Sequence, residues 1–70
     1  MKFIRTIDGD YVSVKHVVSF TVEQNYAKDV TKVFSMLENG KFGLLKKFAD
    51  NNEAHKWLDE LVAKIEAEEI

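Results

Sequence analysis

The sequence predicts an α+β fold: a four-stranded antiparallel β-meander followed by one long C-terminal amphipathic helix packed on one sheet face. Three observations support this class. Short runs of β-branched and aromatic residues alternate between apolar and polar side chains. Asp-Gly and Asn-Gly pairs separate such runs. After residue 50, apolar side chains recur at helical spacing. With 70 residues the chain has room for a single domain, residues 1–70.

The first predicted strands form a hairpin. Residues 2–7 are mostly β-branched or aromatic, and Asp8-Gly9-Asp10 follows them. Glycine adopts the positive φ that a tight turn requires, so this turn predicts that residues 11–15 return antiparallel to the first strand. Residues 17–23 resume the alternation after Lys15-His16. These last two segments can be a single kinked strand, which brings the number of strands to four.

Residues 26–37 fit two patterns. Five apolar residues have the spacing of an amphipathic helix: Tyr26, Val30, Val33, Phe34 and Leu37. Against a helix, residues 30–34 are rich in strand formers, and Asn39-Gly40 is a preferred pair for a two-residue hairpin turn. Residues 41–48 alternate and supply a partner strand. We therefore favour a hairpin with strands over residues 30–38 and 41–48.

The C-terminal helix is predicted over residues 51–68. Asp50 is able to cap this helix, and Glu53 three residues later completes a pair that is similar to a capping box. The apolar residues that follow share one helical face: Ala54, Trp57, Leu58, Leu61, Val62 and Ile65. We expect this apolar stripe to pack on one face of the sheet.

Composition and charge limit the functional classes. The chain is 46% hydrophobic and 31% charged and has no cysteine, which excludes a disulfide scaffold and a disordered acidic tail. No apolar run reaches the length of a membrane helix. The first residues carry charges without an apolar leader pattern, so we expect no signal peptide and a cytoplasmic location. The net charge of −2 gives no general attraction to nucleic acid or anionic lipid.

No motif in the sequence indicates catalysis. His16 and His55 lack further ligands at the spacing of a metal site. Ser13, Ser19 and Ser35 lie in strand patterns, not on a glycine-flanked nucleophile elbow. We therefore expect a protein that is not an enzyme and that uses no cofactor, no metal ion and no evident small-molecule substrate.

Large apolar side chains fall on both faces of the predicted sheet. A two-residue turn at Asn39-Gly40 places Phe34 opposite Leu45 on one face. The same turn places Leu37 opposite Phe42 on the other face. One helix covers only one face, so the other keeps an apolar patch unless the sheet curls into a half-barrel. We expect this patch to bind a second copy of the chain, as a homodimer, or another protein. The candidate interface residues are Phe34, Met36 and Leu45 on one face, or Leu37, Phe42 and Leu44 on the other.

An accessory or regulatory protein that binds nucleic acid is the alternative interpretation. The predicted hairpin places Lys32 opposite Lys47 with Lys46 beside them, and this like-charge pair is mildly repulsive unless an anion lies nearby. Phe34, Phe42 or Tyr26 is available to stack on bases. No RNP-like motif accompanies these residues. We therefore favour a protein partner over nucleic acid.

Two stretches of the chain resemble small uncharacterised proteins of Gram-positive bacteria and their phages. The first is Ile4–Val22, with its Asp-Gly turn and the run Tyr11–Phe20. The second comprises Leu37–Gly40 through Phe48, then Glu53-Ala54 and Trp57–Leu61. The first two-thirds of the chain is also similar to short flagellar swarming-regulator proteins, from which the long helix departs. The resemblance implies a bacterial ββββα protein with a strand over residues 30–37, and it implies no catalytic residue.

Overall fold

A computed structural model describes residues 2–68 of the chain. Strand formers and alternating side chains build five strands within these residues, and the amphipathic segment builds one α-helix. A 3₁₀ turn, Val14–His16, follows the second strand. The elements are β1 (Phe3–Arg5), β2 (Tyr11–Ser13), β3 (Val17–Asn25), β4 (Val30–Leu37), β5 (Phe42–Phe48) and α1 (Asn51–Glu68).

The strands form two antiparallel sheets, so the prediction of one four-stranded meander is wrong. Strand β1 pairs with β2, while β3, β4 and β5 form a three-stranded sheet with β4 in the centre. The segment predicted as one kinked strand divides at the 3₁₀ turn, where the Val17 N–H donates to the Val14 carbonyl. This local hydrogen bond ends the β2 ladder and redirects the chain into the second sheet. The α+β class, the antiparallel pairing and the C-terminal helix on the sheet are confirmed.

Residues 26–37 contain a strand and not the alternative helix. Strand β4 pairs with β3 on one side, where Val22 lies opposite Val33, and with β5 on the other. A central strand with β-branched residues on its buried side satisfies its backbone hydrogen bonds along both edges. The helical spacing of the apolar residues in this segment is therefore overridden by sheet pairing.

The turn between β4 and β5 has three residues, not the two predicted. The Gly40 N–H donates to the Leu37 carbonyl and the Leu37 N–H donates to the Lys41 carbonyl, each at 2.9 Å. Gly40 has a φ of 86°, whereas Asn39 is not among the residues with positive φ. A two-residue type I′ turn requires positive φ at both positions, so the chain adopts the three-residue form with one left-handed glycine.

This turn shifts the cross-strand register by one residue, and a bulge in β5 shifts it back. Next to the turn, Met36 lies opposite Phe42 and Phe34 lies opposite Leu44. Between Phe34 and Val33 the register is irregular, and Leu45 is the additional residue on β5. Beyond the bulge, Lys32 lies opposite Lys47 as predicted. The bulge turns Leu45 into the core, where it is only 4% exposed.

Helix α1 and the β1–β2 hairpin cover the same side of the three-stranded sheet, which we call the inner face. The core on this side contains Ile4 from the hairpin, Val33 and Leu45 from the sheet, and Ala54 and Leu61 from the helix. The aromatic rings of Phe48 and Trp57 extend this core, with their centroids 5.9 Å apart. Partly buried residues surround it: Val14, Phe20, Val22, Leu58 and Ile65.

Gly43 allows the hairpin to approach the inner face closely. A Cβ atom at this position would lie 3.4 Å from Val12 Cγ2 and 3.5 Å from Thr6 Cγ2. The Ile7 N–H donates to the Leu44 carbonyl at 3.0 Å and ties the hairpin to the free edge of β5. The hairpin and the helix therefore both lie on the inner face.

Candidate interaction face

The opposite side of the three-stranded sheet, which we call the outer face, has three rows of side chains. Residues directly opposite each other on paired strands point to the same side of a sheet. The register therefore defines the rows across β3, β4 and β5. From the β4–β5 turn towards the far end they are Ser19–Met36–Phe42, Thr21–Phe34–Leu44 and Glu23–Lys32–Lys47.

Apolar groups are concentrated in the first two rows of the outer face. Phe42 is 62% exposed, while Phe34, Met36 and Leu44 are each half-buried. The rings of Phe34 and Phe42 meet edge to face, with centroids 6.4 Å apart and an interplanar angle of 83°. This geometry is favourable for aromatic pairs and holds both rings in place.

An open groove of about 440 Å³ crosses the outer face. Its lining consists of the two aromatic rings, Phe34 and Phe42, together with Thr21 and Glu23 from β3. Within residues 2–68, the helix and the hairpin that could cover a sheet face both lie on the inner face. The groove therefore presents apolar surface with one carboxylate at its side, a combination that suits contact with a partner.

Four of the six predicted interface residues lie together on the outer face, but not in the predicted sets. Phe34, Met36, Phe42 and Leu44 share this face, whereas the two-residue turn would have divided them between opposite faces. The three-residue turn brings Phe42 and Leu44 to the side of Phe34. These four residues form one contiguous apolar patch.

Leu45 and Leu37 do not belong to this patch. The bulge turns Leu45 into the core beside Val33 and Leu61. Leu37 is half-buried at the end of β4, opposite Val17 on the other side of the sheet. The placement of Leu45 corrects the prediction that it faces a partner.

The sheet brings together only two of the three candidate anion-binding lysines. Lys32 and Lys47 are opposite each other on the outer face. Lys46 lies opposite Val33, on the inner side of β5, with its ammonium 5.4 Å from the centroid of Phe48 and 5.6 Å from that of Trp57. Contact with these rings gives Lys46 a packing role as a cation–π partner.

Thr21 and Glu23 are contributors to this face that the sequence reasoning did not single out. The alternation over β3 places both on the side away from Phe20 and Val22. Their association with Phe34 depends on the pairing of β3 with β4, in which Thr21 lies opposite Phe34. The alternation was visible in the sequence, but this long-range register was not.

A second groove, of about 350 Å³, lies where the 3₁₀ turn meets the β4–β5 turn. His16 Nδ1 and Glu38 Oε1 are in hydrogen-bond contact, and the Glu38 N–H donates to the His16 carbonyl at 3.0 Å. Both side chains are more than half exposed. Ser13 also lines this groove, but among the described residues its hydroxyl makes no hydrogen bond to the imidazole. The His16–Glu38 pair therefore links the 3₁₀ turn to the β4–β5 turn.

Two properties of residues 2–68 concern metal binding and membrane spanning. No group of three or more histidine, aspartate or glutamate side chains is arranged to hold a metal ion in this part of the chain. None of its helices has the length and the apolar character needed to cross a membrane.

Comparison with protein-family models, with curated proteins and with solved structures gives no match. The order of strands followed by one C-terminal helix is present, as the resemblance to proteins of Gram-positive bacteria and their phages implies. Membership of that group stays a prediction.

Proposed function

We propose that this chain is a non-catalytic interaction module that self-associates through its outer face. The observation that supports the proposal is the contiguous patch of Phe34, Met36, Phe42 and Leu44 on the side of the sheet away from the helix and hairpin. Contiguous apolar patches on the surface of a soluble monomer often have a binding role. We keep the sequence-based expectation of a cytoplasmic location.

The small size of the domain also favours association. Chains of this length bury a limited core and often gain stability from oligomerisation. Here the described core has only six buried hydrophobic residues, while two aromatic rings remain on the outer face. Aromatic side chains near the centre of an interface commonly supply much of its binding energy.

The dimensions of the outer face set the expected strength of association. Three strands about 4.8 Å apart and six residues of about 3.3 Å each give a face of about 14 Å by 20 Å. This is well below the roughly 800 Å² per partner that stable complexes bury. We therefore expect a reversible dimer with a dissociation constant in the micromolar range or weaker.

Sedimentation velocity on wild type and two variants tests this proposal. For wild type, the average mass should rise from 8.1 kDa towards twice that value as concentration rises to about 1 mM. Phe42→Asp should remain monomeric, because it places a carboxylate in the apolar patch. Phe3→Asp is the matched control, since Phe3 is 57% exposed on β1 and lies outside the patch. A wild-type mass that stays at 8.1 kDa throughout contradicts self-association.

Nucleic-acid binding is the second candidate, and it draws support from one observation. Lys32 and Lys47 lie opposite each other on the face that carries Phe34 and Phe42. Glu23, next to Lys32 in the same row, offsets part of this positive charge. Filter binding of single-stranded RNA and DNA at low and moderate salt distinguishes the two functions. Retention that falls with salt and is weakened by Lys47→Glu favours nucleic acid, and no retention at low salt removes it.

A further inference from the structure

The charged row of the outer face runs from negative to positive across the sheet. Glu23 lies on one outer strand, Lys32 on the central strand and Lys47 on the other outer strand. The other two rows contain no charged residue. A partner that fits this face must place positive charge over the β3 side and negative charge over the β5 side.

A second copy of the chain places positive charge over the β3 side and negative charge over the β5 side when it is related to the first by a two-fold axis parallel to β4. Two identical faces in contact are related by a two-fold axis that lies in the plane between them. If the axis runs along the strands, each row lies over the same row of the other copy, and β3 lies over β5. Glu23 then faces the partner's Lys47, and this pair occurs twice.

The alternative axis, perpendicular to the strands, is unfavourable. It lays the charged row over the row that contains Met36 and Phe42 and buries charges against apolar groups. If the two copies slide along the strands to avoid this contact, most of the apolar patch of one copy no longer contacts the patch of the other. Only the axis along β4 brings the apolar rows together and matches the charges.

We infer that the outer face binds a second copy of this chain about a two-fold axis parallel to β4, with Glu23 opposite the partner subunit's Lys47. This inference rests on the proposed self-association and specifies its geometry. The Phe34 side chain lies close to the axis and packs against the partner's Phe34. Twist makes packed sheets cross at about 30°, and the long glutamate and lysine side chains span the resulting offset.

Lys32 is the one unfavourable element of this arrangement. Lys32 lies near the axis, so it faces the partner's Lys32. The two charged rows that meet in the dimer together contain four lysines and two glutamates. Glu23, its cross-strand neighbour, offsets part of this repulsion. Replacing Lys32 with Met should therefore tighten the dimer, by roughly threefold to tenfold.

A charge-swap experiment tests the geometry. Glu23→Lys or Lys47→Glu alone makes both intermolecular pairs repulsive, and each should weaken self-association at least about tenfold. An equimolar mixture of the two variants makes both pairs attractive again in the heterodimer, so its dissociation constant should return to within about threefold of wild type. Lys56→Glu on α1 is the control for a change in net charge, and it should behave as wild type.

The outcomes separate this inference from the proposal on which it rests. If wild type dimerises and Phe42→Asp abolishes the dimer, but the mixture of charge variants does not recover it, the outer face is the interface and the axis is wrong. Failure of Lys32→Met to tighten the dimer also argues against this axis. A monomeric wild type overturns both the inference and the proposed self-association. Circular dichroism on each variant checks that its fold is retained.

Discussion

Ser35 is fully buried on the inner face of β4, and its hydroxyl group has no hydrogen-bond partner among the described residues. A buried polar group without a partner costs about 1–3 kcal/mol of stability. Ser35→Ala removes this group and keeps the Cβ atom. Loss of one oxygen leaves a cavity of roughly 20 Å³, which costs about 0.5 kcal/mol. We therefore expect Ser35→Ala to stabilise the fold by about 1 kcal/mol.

The same hydroxyl limits the space at Gly43 on the neighbouring strand. A Cβ atom at Gly43 would lie 3.2 Å from Ser35 Oγ, closer than to any other neighbouring atom. Gly43→Ala should therefore destabilise the wild-type fold by about 1–2 kcal/mol. In the Ser35→Ala background the nearest obstacle is gone, so the cost of Gly43→Ala should fall by about 1 kcal/mol. The two substitutions should couple instead of adding.

Urea unfolding measures this double-mutant cycle, with Trp57 fluorescence as the signal and one fixed low protein concentration. For a small domain, a change of 1 kcal/mol in the free energy of unfolding corresponds to a shift of about 0.3–1 M in the urea midpoint. A loss of stability above about 0.5 kcal/mol for Ser35→Ala would show that the hydroxyl makes a favourable hydrogen bond. Strict additivity of the two substitutions would refute the close contact between Ser35 and Gly43.

Two further substitutions test the core and the β4–β5 turn. Leu61→Asp places an unpaired carboxylate in the core beside Val33 and Leu45. This burial should cost at least about 5 kcal/mol, which is enough to unfold the domain. A melting temperature equal to that of wild type would contradict the packing of α1 on the sheet. Gly40→Ala should cost about 1–2 kcal/mol, because Gly40 has a φ of 86°. Differential scanning calorimetry should show a smaller loss of stability for Gly40→Asn than for Gly40→Ala, since asparagine tolerates this conformation better.

Structural features that depend only on residues close together in the sequence could be predicted from it. The helix begins after Asp50, whose side chain accepts a hydrogen bond from the Asn52 N–H at 2.8 Å. Gly9 and Gly40 adopt positive φ at the two hairpin turns where Asp-Gly and Asn-Gly pairs indicated them. These outcomes depend on local backbone geometry and capping, which a few consecutive residues determine.

The grouping of the candidate interface residues could not be predicted in the same way. Asn39-Gly40 is compatible with a two-residue and a three-residue turn, and in the folded chain Asn39 Oδ1 accepts the Lys41 N–H at 3.0 Å. The three-residue turn shifts the β4–β5 register at Phe42 and Leu44 by one residue, which moves both side chains to the opposite face of the sheet. The bulge that restores the register buries Leu45, and this burial depends on contacts with the helix.

The amino-acid sequence therefore determines the local elements of this protein: strands that alternate, glycine turns and one amphipathic helix. Period-two alternation indicates which residues of one strand share a face, but it contains no information on how distant strands align. Only the tertiary structure shows that the β1–β2 hairpin forms a sheet of its own and packs on the inner face, where Gly43 provides the space for it. Because both the hairpin and the helix bury their apolar sides there, the aromatic patch with its row of Glu23, Lys32 and Lys47 is left for a partner.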